Sequence, residues 1–502
     1  MANILSVLSI IFIIAGIISS LYAAIILKHG DLPEYIFTFW FWLATVFFGI
    51  QSISYFISFR RSIYKYPDTI NSAYLPSLRN RVAILVPIFN EDINMCIDNL
   101  LAIHTNASNY AEIYVLDDSN KVDTEPIKEI CQKLNLHYIH RNNRSGYKAG
   151  ALNNVLRTLN VEYVAVIDID QTPAPDFVRE TVALLDSHPE AGFVQVPQVY
   201  ANTDSGVLPE LAQAQQFLFY EILTEGKSVT GSLFSCGTNV IYRLNALKSV
   251  NYFDETNIVE DIATSLNLIA RGWHGLYYNK KLVFGRAPTT MQGYVNQQSR
   301  WMLGSLSLVP KVFKNIIFSK KYSLVERIDW FAAATWYFFG FFYIVFLIAP
   351  FLDVLGIKVL TVNSIIYFFA WLPYTIIVMF SFFYSNVSKG APFRYLLYNM
   401  GANMLMFSLS IQSVIYAILR KKKPFTTART GGTMPWRWFW PQFTMMFLLG
   451  FSSVYLIIHF SLYNAITAFW AVFQFILFIP VIFINRPVKQ SEMDMPVFKN
   501  AN

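Results

Sequence analysis

Seven apolar runs approach or exceed the roughly 20 residues that a bilayer-spanning helix needs. They fall at 4–27, 35–59, 331–352, 359–383, 395–419, 439–460 and 465–484. Between the second and third the pattern changes. Short apolar runs, VAILVPI, IYVLDD, LHYIH, YVAVIDID and GFVQV, alternate with stretches of helical period, EPIKEICQKLN, KAGALNNVLRTL and FVRETVALLDS. Strands that alternate with helices predict βαβ units and a mainly parallel sheet. The expected layout is a helical pair over 1–60, an α/β domain over 80–325, a helical membrane region over 328–486 and a tail over 487–502.

The 395–419 run reads differently from the other six. Its polar residues Asn399, Asn403, Ser410 and Ser413 fall within about 80° of one another at about 100° per residue, so the helix can lie along the membrane interface. Charge agrees with that placement. The basic clusters Arg60/Arg61/Lys65, Lys311/Lys314/Lys320/Lys321 and Lys421/Lys422/Lys423 flank apolar runs. All can be cytoplasmic, as the positive-inside rule expects, only if an even number of spans separates each from the next. The expectation is six spans, an interfacial helix over 393–420, cytoplasmic termini and a cytoplasmic α/β domain in the plasma membrane.

Composition excludes a purely soluble chain: 54% of residues are hydrophobic and 14% charged, with 44 Phe and 29 Tyr. The first run lacks a basic flank and a small-residue cleavage site, so it reads as an anchor. Cys96, Cys131 and Cys236 have no paired spacing, which argues against a disulfide framework or a zinc site and suits a reducing compartment. The net charge of +7 is accounted for by the loops, and no nucleic-acid partner is expected.

In a parallel sheet, ligands bind beyond the carboxyl ends of the strands. Acidic residues gather there: Glu91 after the first strand, Asp117 and Asp118 after the second, Asp168 and Asp170 after the fourth. Neither GxGxxG nor GxxxxGK[ST] is present, which weighs against dinucleotide and P-loop nucleotide sites. Several carboxylates in one crevice call for a cation, and a hard divalent ion prefers carboxylate plus phosphate oxygens. The expected ligand is a metal–diphosphate.

The ordered series VPIFNED, VLDDSN, GYKAGALNN, AVIDID, FVQVPQ, SCGTN, VED and QQSRW resembles the membrane-integrated processive family-2 glycosyltransferases, the group of cellulose, curdlan, chitin and hyaluronan synthases. The likeness runs from about Arg81 to Gly304, and the KAG and VEDIATSLNLIARGW stretches lean towards cellulose synthases. It implies a GT-A (Rossmann-like) domain inserted in the membrane helices. Asp168 and Asp170 would form the DxD motif holding a nucleotide sugar through Mg²⁺ or Mn²⁺; a plain solvated turn is the alternative. Glu91, Asp117 and Asp118 would surround the uridine, and Lys148 and Arg300 would meet the diphosphate.

By the same resemblance Glu260-Asp261 stands for a TED motif with Val259 in place of its threonine, and Asp261 would be the general base of an inverting transfer. An acidic helix start is the plainer reading. Cys236, Glu260, Gln297 and Trp301 would face the acceptor. KKKPFTTARTGG, within 421–436, resembles a gating loop, with Ala428 and Thr430 departing from its expected threonine and lysine. No carboxy-terminal PilZ-like domain is expected, and two amino-terminal spans stand where the bacterial cellulose synthase subunit has four.

The implied function is a processive synthase that makes a β-linked exopolysaccharide, a glucan from UDP-glucose, and translocates it across the membrane. GDP-mannose and UDP-N-acetylglucosamine are the next donors. The growing polysaccharide and membrane lipid are its expected partners. A non-processive enzyme making a glycolipid is the alternative; a transporter with a nucleotide-binding domain fits less well, because the runs carry few charges.

Overall fold

The structure, a computed structural model, describes residues 2–26, 31–63, 78–359, 372–420, 432–480 and 484–485. Ten strands follow in chain order: β1 (Val82–Ile88), β2 (Glu112–Asp117), β3 (His137–His140), β4 (Tyr163–Val166), β5 (Gln171–Pro173), β6 (Ala191–Gln195), β7 (Val199–Tyr200), β8 (Val240–Arg243), β9 (His274–Tyr277) and β10 (Val283–Gly285). Seven make the main sheet, in the order β3-β2-β1-β4-β8-β6-β9; β5, β10 and β7 make a small second sheet. Parallel pairing joins β3, β2, β1 and β4, and joins β6 to β9, whereas β8 runs antiparallel to both β4 and β6.

The continuous apolar run of β1 follows from burial on both faces. Val82, Ile84 and Val86 pack with Leu100, Ile103, Ile127 and Phe177 on one side. Ala83 and Leu85 pack with Leu152, Leu156, Tyr242 and Leu268 on the other. The crossover helices take their limits from local chemistry. Asp92 caps Ile93–Ala107 by accepting from the Met95 amide at 2.9 Å. Helix Glu125–Lys133 buries Ile127 and Cys131, one turn apart on its inner face. Tyr147–Leu156 and Phe177–Ser187 complete the predicted helices.

Among the described residues, five helices are long and apolar enough to cross a membrane: Ala2–Tyr22, Leu32–Arg61, Leu324–Val354, Phe393–Ile418 and Trp436–Ile458. Leu372–Ser388 and Leu462–Phe478 are apolar but shorter. Residues 421–431, which hold most of the gating-like stretch, lie outside the described residues, as do 360–371 of the 359–383 run.

The polar stripe of Phe393–Ile418 meets protein. Asn399 donates to the Ala214 carbonyl at 3.2 Å, and the Ser410 hydroxyl donates to the Tyr337 carbonyl at 2.7 Å. Ser413 faces the Met302 sulfur at 3.8 Å. Satisfying those groups against neighbouring helices lets a partly polar helix be buried.

The α/β domain is tied to the helices at several points. The Asp329 carboxylate, fully buried, accepts from Ser54 at 2.9 Å and from Thr230 and Ser232 at 3.0 Å each. Lys389 reaches Glu225 at 2.5 Å and the Ser62 carbonyl at 2.6 Å. Gly226 makes the closest approach, since a Cβ there would lie 2.4 Å from both the Cα and the carbonyl oxygen of Ser58. Backbone cannot yield as a flexible side-chain tip does, so Gly226→Val should destabilise the docked domain by about 1–3 kcal/mol. Thermal unfolding in detergent should show a lower midpoint for the variant; an unchanged midpoint would contradict the tight packing.

Candidate active site

Residues after the carboxyl ends of β1, β2 and β4 gather at one edge of the main sheet, where the β6–β8 connection also arrives because β8 runs antiparallel to β4 and β6. Asn90, in a left-handed conformation at φ 50°, ties the first two loops together. Its amide donates to the Ser119 hydroxyl at 2.9 Å, and its carboxamide oxygen accepts from the Asn120 and Lys121 amides at 2.9 Å each. Glu91 follows directly on this corner.

Asp117 and Asp118 are buried and engaged within the protein. Asp117 accepts from Tyr138 at 2.6 Å, from His140 at 3.0 Å and from the Ser119 amide at 2.9 Å. Burial would raise its pKa, but these hydrogen bonds outweigh burial and hold it below the ordinary aspartate value. Asp118 is clamped by Arg141, with Nε at 2.8 Å and Nη2 at 2.6 Å on its two oxygens. Arg141 carries no motif, and its role shows only when β3 is laid beside β2.

Lys148 lies in the first turn of helix Tyr147–Leu156, which starts after a left-handed Gly146. Its ammonium donates to Asp168 Oδ1 at 2.5 Å and to the Gly237 carbonyl at 2.8 Å, and it stands 4.0 Å from Glu260. Burial pulls its pKa down, but the charges of Asp168 and Glu260 more than offset that and raise it. Thr238 accepts from the Asp168 amide at 2.9 Å, and Gln171 donates to Asp170 at 3.2 Å. The charge of Arg300 acts on both Asp168 and Glu260.

Gly237 is left-handed at φ 76°, and a Cβ there would come 2.9 Å from Asp261 Oδ2. That fixes the glycine of SCGTN twice over, by conformation and by contact. Burial, followed by the neighbouring charge of Glu260, pushes Asp261 up to about 7. Glu260 is also raised, chiefly by burial, with Lys148 opposing. The Cys236 thiol is driven up to about 12 by burial, so it is protonated near neutrality and a poor nucleophile.

Gln195, fully buried in FVQVPQ, organises this side of the site. Its amide nitrogen reaches the Val196, Thr238 and Asn239 carbonyls at 2.9–3.0 Å, and its oxygen accepts from the Cys236 amide at 2.8 Å. Nothing in FVQVPQ marks the glutamine for this role, which shows only in its contacts.

Cys236, Asp261 and Trp301 line one cavity of about 560 Å³ that continues among the helices beside Phe48, Trp336 and Asn403. Gln298, not Gln297, stands among its lining residues. Gln215 pins the helix carrying QQSRW by accepting from Tyr294 at 2.6 Å and from Gln298 at 3.4 Å. Tyr220, in a π-helical turn over Phe219–Thr224, also lines the cavity and bonds the Cys236 side chain; no sequence signal marked it.

No group of three or more His, Cys, Asp or Glu side chains suited to a metal occurs among the described residues. Asp168 and Asp170 thus offer two carboxylates, with no third His, Cys, Asp or Glu grouped with them among the described residues. This donor set fits a hard divalent ion that completes its shell with phosphate oxygens and water. Arg141→Ala would leave the Asp118 carboxylate buried and unpaired. It should destabilise the domain by about 3–5 kcal/mol, read as a lowered unfolding midpoint with partial recovery in Arg141→Lys.

Residues 163–385 match the family model "Glycosyl transferase family group 2". The chain is 31% identical over 259 residues to Glucomannan 4-beta-mannosyltransferase 1 of Cyamopsis tetragonoloba, covering 49% of each chain. It is 30% identical over 258 residues to Glucomannan 4-beta-mannosyltransferase 2 of Arabidopsis thaliana, covering 49% of this chain and 48% of that one. The chain spans about half the length of these curated relatives. A mannosyltransferase from Pyrobaculum calidifontis, solved with GDP-Man and Mn²⁺, aligns at a TM-score of 0.54 and 18% identity over 78% of this chain and 100% of its own. At that identity the likeness speaks for the fold. Residues 163–385 thus match a family-2 glycosyltransferase model, and the α/β domain has a GT-A-type fold flanked by long apolar helices.

Proposed function

We propose that the chain is an inverting, processive glycosyltransferase of the plasma membrane that builds a β-linked polysaccharide from a nucleotide sugar on its cytoplasmic side and passes the product along the cavity between the helices. The observation that carries this reading is the shared cavity. Asp261, lifted to about 7, opens into the same space as Trp301 and Cys236, while Lys148 and Asp168 lie on the other side of Gly237. One face of the site suits an acceptor hydroxyl and the other a diphosphate.

In the proposed step the Asp261 carboxylate takes the proton of the acceptor hydroxyl as its oxygen bonds to the anomeric carbon. The bond from that carbon to the diphosphate breaks, its electron pair leaves with the phosphate, and an α-linked donor gives a β-linked product. A divalent cation held by Asp168 and Asp170 would neutralise charge on the departing diphosphate. Lys148 and Arg300 add positive charge on that side. Trp301 offers an apolar face to a sugar ring, and Cys236 stands beside the acceptor as a neutral thiol. Asp117 and Asp118, held rigid by Tyr138, His140 and Arg141, shape the base end of the donor pocket with Glu91.

For the donor, the mannosyltransferase names of the relatives support GDP-mannose, whereas the KAG and QQSRW motifs lean to UDP-glucose and a glucan. Six spans and an interfacial helix over 393–420 remain the proposed membrane layout, and the 421–436 stretch the proposed gate. Incubation of the detergent-purified chain with GDP-mannose, UDP-glucose and UDP-N-acetylglucosamine should give high-mass product from one of them. Singly glycosylated lipid as sole product would favour the non-processive alternative, and no transfer from any donor would remove the proposal.

General base catalysis typically contributes 10²–10⁴-fold. Asp261→Asn should lose on the order of that factor in kcat while still binding nucleotide sugar. Because the base works deprotonated, kcat/KM should rise with pH through about 7 and fall about tenfold per unit below it; a flat profile between pH 5.5 and 8 would exclude Asp261 as the base. EDTA should stop turnover and Mg²⁺ or Mn²⁺ restore it. Activity that survives complete chelation would count against the Asp168/Asp170 assignment.

A further inference from the structure

The cavity beside Asp261 carries a charge that the transfer step leaves unused. Lys227, on helix Glu225–Thr230, is 4% exposed and lines the same cavity as Asp261, Cys236 and Trp301. An ammonium can donate three hydrogen bonds. The one formed here goes to the backbone carbonyl of Asp329 at 2.9 Å.

The carboxylate of Asp329 is occupied by the hydroxyls of Ser54, Thr230 and Ser232. Among the described residues no salt bridge within 4.0 Å joins Lys227 to a carboxylate. Burial works against its charge, with the more distant Asp329 charge opposing. A desolvated ammonium that lacks a contacting counter-ion is costly until an anion completes it.

Part of the cavity wall is hydrocarbon, although Gln51, Ser52, Ser54 and Tyr55 also line it. Leu223 and Phe234 come from the α/β domain, and Val378, Met379 and Phe382 from the apolar helix Leu372–Ser388. These five side chains offer no partner to the hydroxyls of a sugar, whereas Gln215, Gln298, Asn399 and Asn403 elsewhere in the cavity do. An alkyl or isoprenoid chain needs no such partners. A buried cation, apolar walls reaching a membrane-type helix, and Asp261 in one space match the parts of a lipid phosphate that bears a sugar.

We propose that this cavity binds a phosphorylated lipid, with its phosphate on the Lys227 ammonium, its hydrocarbon among Leu223, Val378, Met379 and Phe382, and its sugar-bearing end towards Asp261. The acceptor on which the polysaccharide begins is then lipid-linked. The acceptor role rests on the transferase reading above; the binding site does not.

Binding can be tested on the full chain in detergent, without any donor, through quenching of tryptophan fluorescence, since Trp301, Trp330 and Trp336 line the cavity. The probes are geranylgeranyl phosphate, geranylgeraniol with the same hydrocarbon, and inorganic phosphate. Geranylgeranyl phosphate should bind at least tenfold more tightly than either of the others. Lys227→Gln should erase its advantage over the alcohol, and Lys227→Arg should keep it.

Equal binding of the phosphate and the alcohol, or a gap that survives Lys227→Gln, would overturn the site. Inorganic phosphate binding as tightly as the lipid phosphate would overturn the lipid part. If Lys227→Gln does not fold, the three probes on the unmodified chain decide alone. Loss of this binding would leave sugar transfer untouched as a proposal, and a chain inactive towards every donor could still bind the lipid.

Discussion

A single ammonium holds the centre of this molecule together. Asp168, Asp170, Glu260 and Asp261 come from two distant stretches of chain, and carboxylates this close would repel one another. Lys148 answers that repulsion with contacts to Asp168 at 2.5 Å and to the Gly237 carbonyl at 2.8 Å, and with Glu260 at 4.0 Å. It joins the carboxyl end of β4, the turn before β8 and the start of helix Glu260–Ala270. The position of Asp261 against the left-handed Gly237 depends on that junction. Charge balance also separates the chemistry: positive groups accumulate on the Asp168 side, while Asp261, with Glu260 beside it, stays short of ready ionisation at about 7.

Much of this was legible in the sequence because the informative residues sit at strand ends. The runs VAILVPI, IYVLDD, LHYIH, YVAVIDID and GFVQV correspond to β1, β2, β3, β4 and β6. β8 was not legible. Four residues, VIYR, show no alternation because both faces are covered, and its antiparallel insertion between β4 and β6 breaks the simple βαβ order. The acids at the site were readable by type and place; their partners were not. Arg141 on Asp118, Tyr138 and His140 on Asp117, and Gln195 under Cys236 become visible only once β2, β3 and β6 are in register, since they rest on contacts between strands.

The helical part shows a different limit. Periodicity finds the polar stripe Asn399, Asn403, Ser410 and Ser413 but does not say what it faces. Three of these side chains bond helices of the same chain, and Asn403 lines the cavity. In both water and protein the requirement on such a stripe is that its hydrogen bonds be met, so the pattern alone is silent between them. The same holds for Lys227, which composition presents as one lysine among many and burial sets apart.

The account rests on one base facing one leaving group across the anomeric carbon. The most direct measurement is the anomeric configuration of the new glycosidic bond, read by NMR on product made from an α-linked nucleotide sugar before any secondary processing. A β-linkage is the predicted result. An α-linkage, with configuration retained, would contradict the single displacement assigned to Asp261.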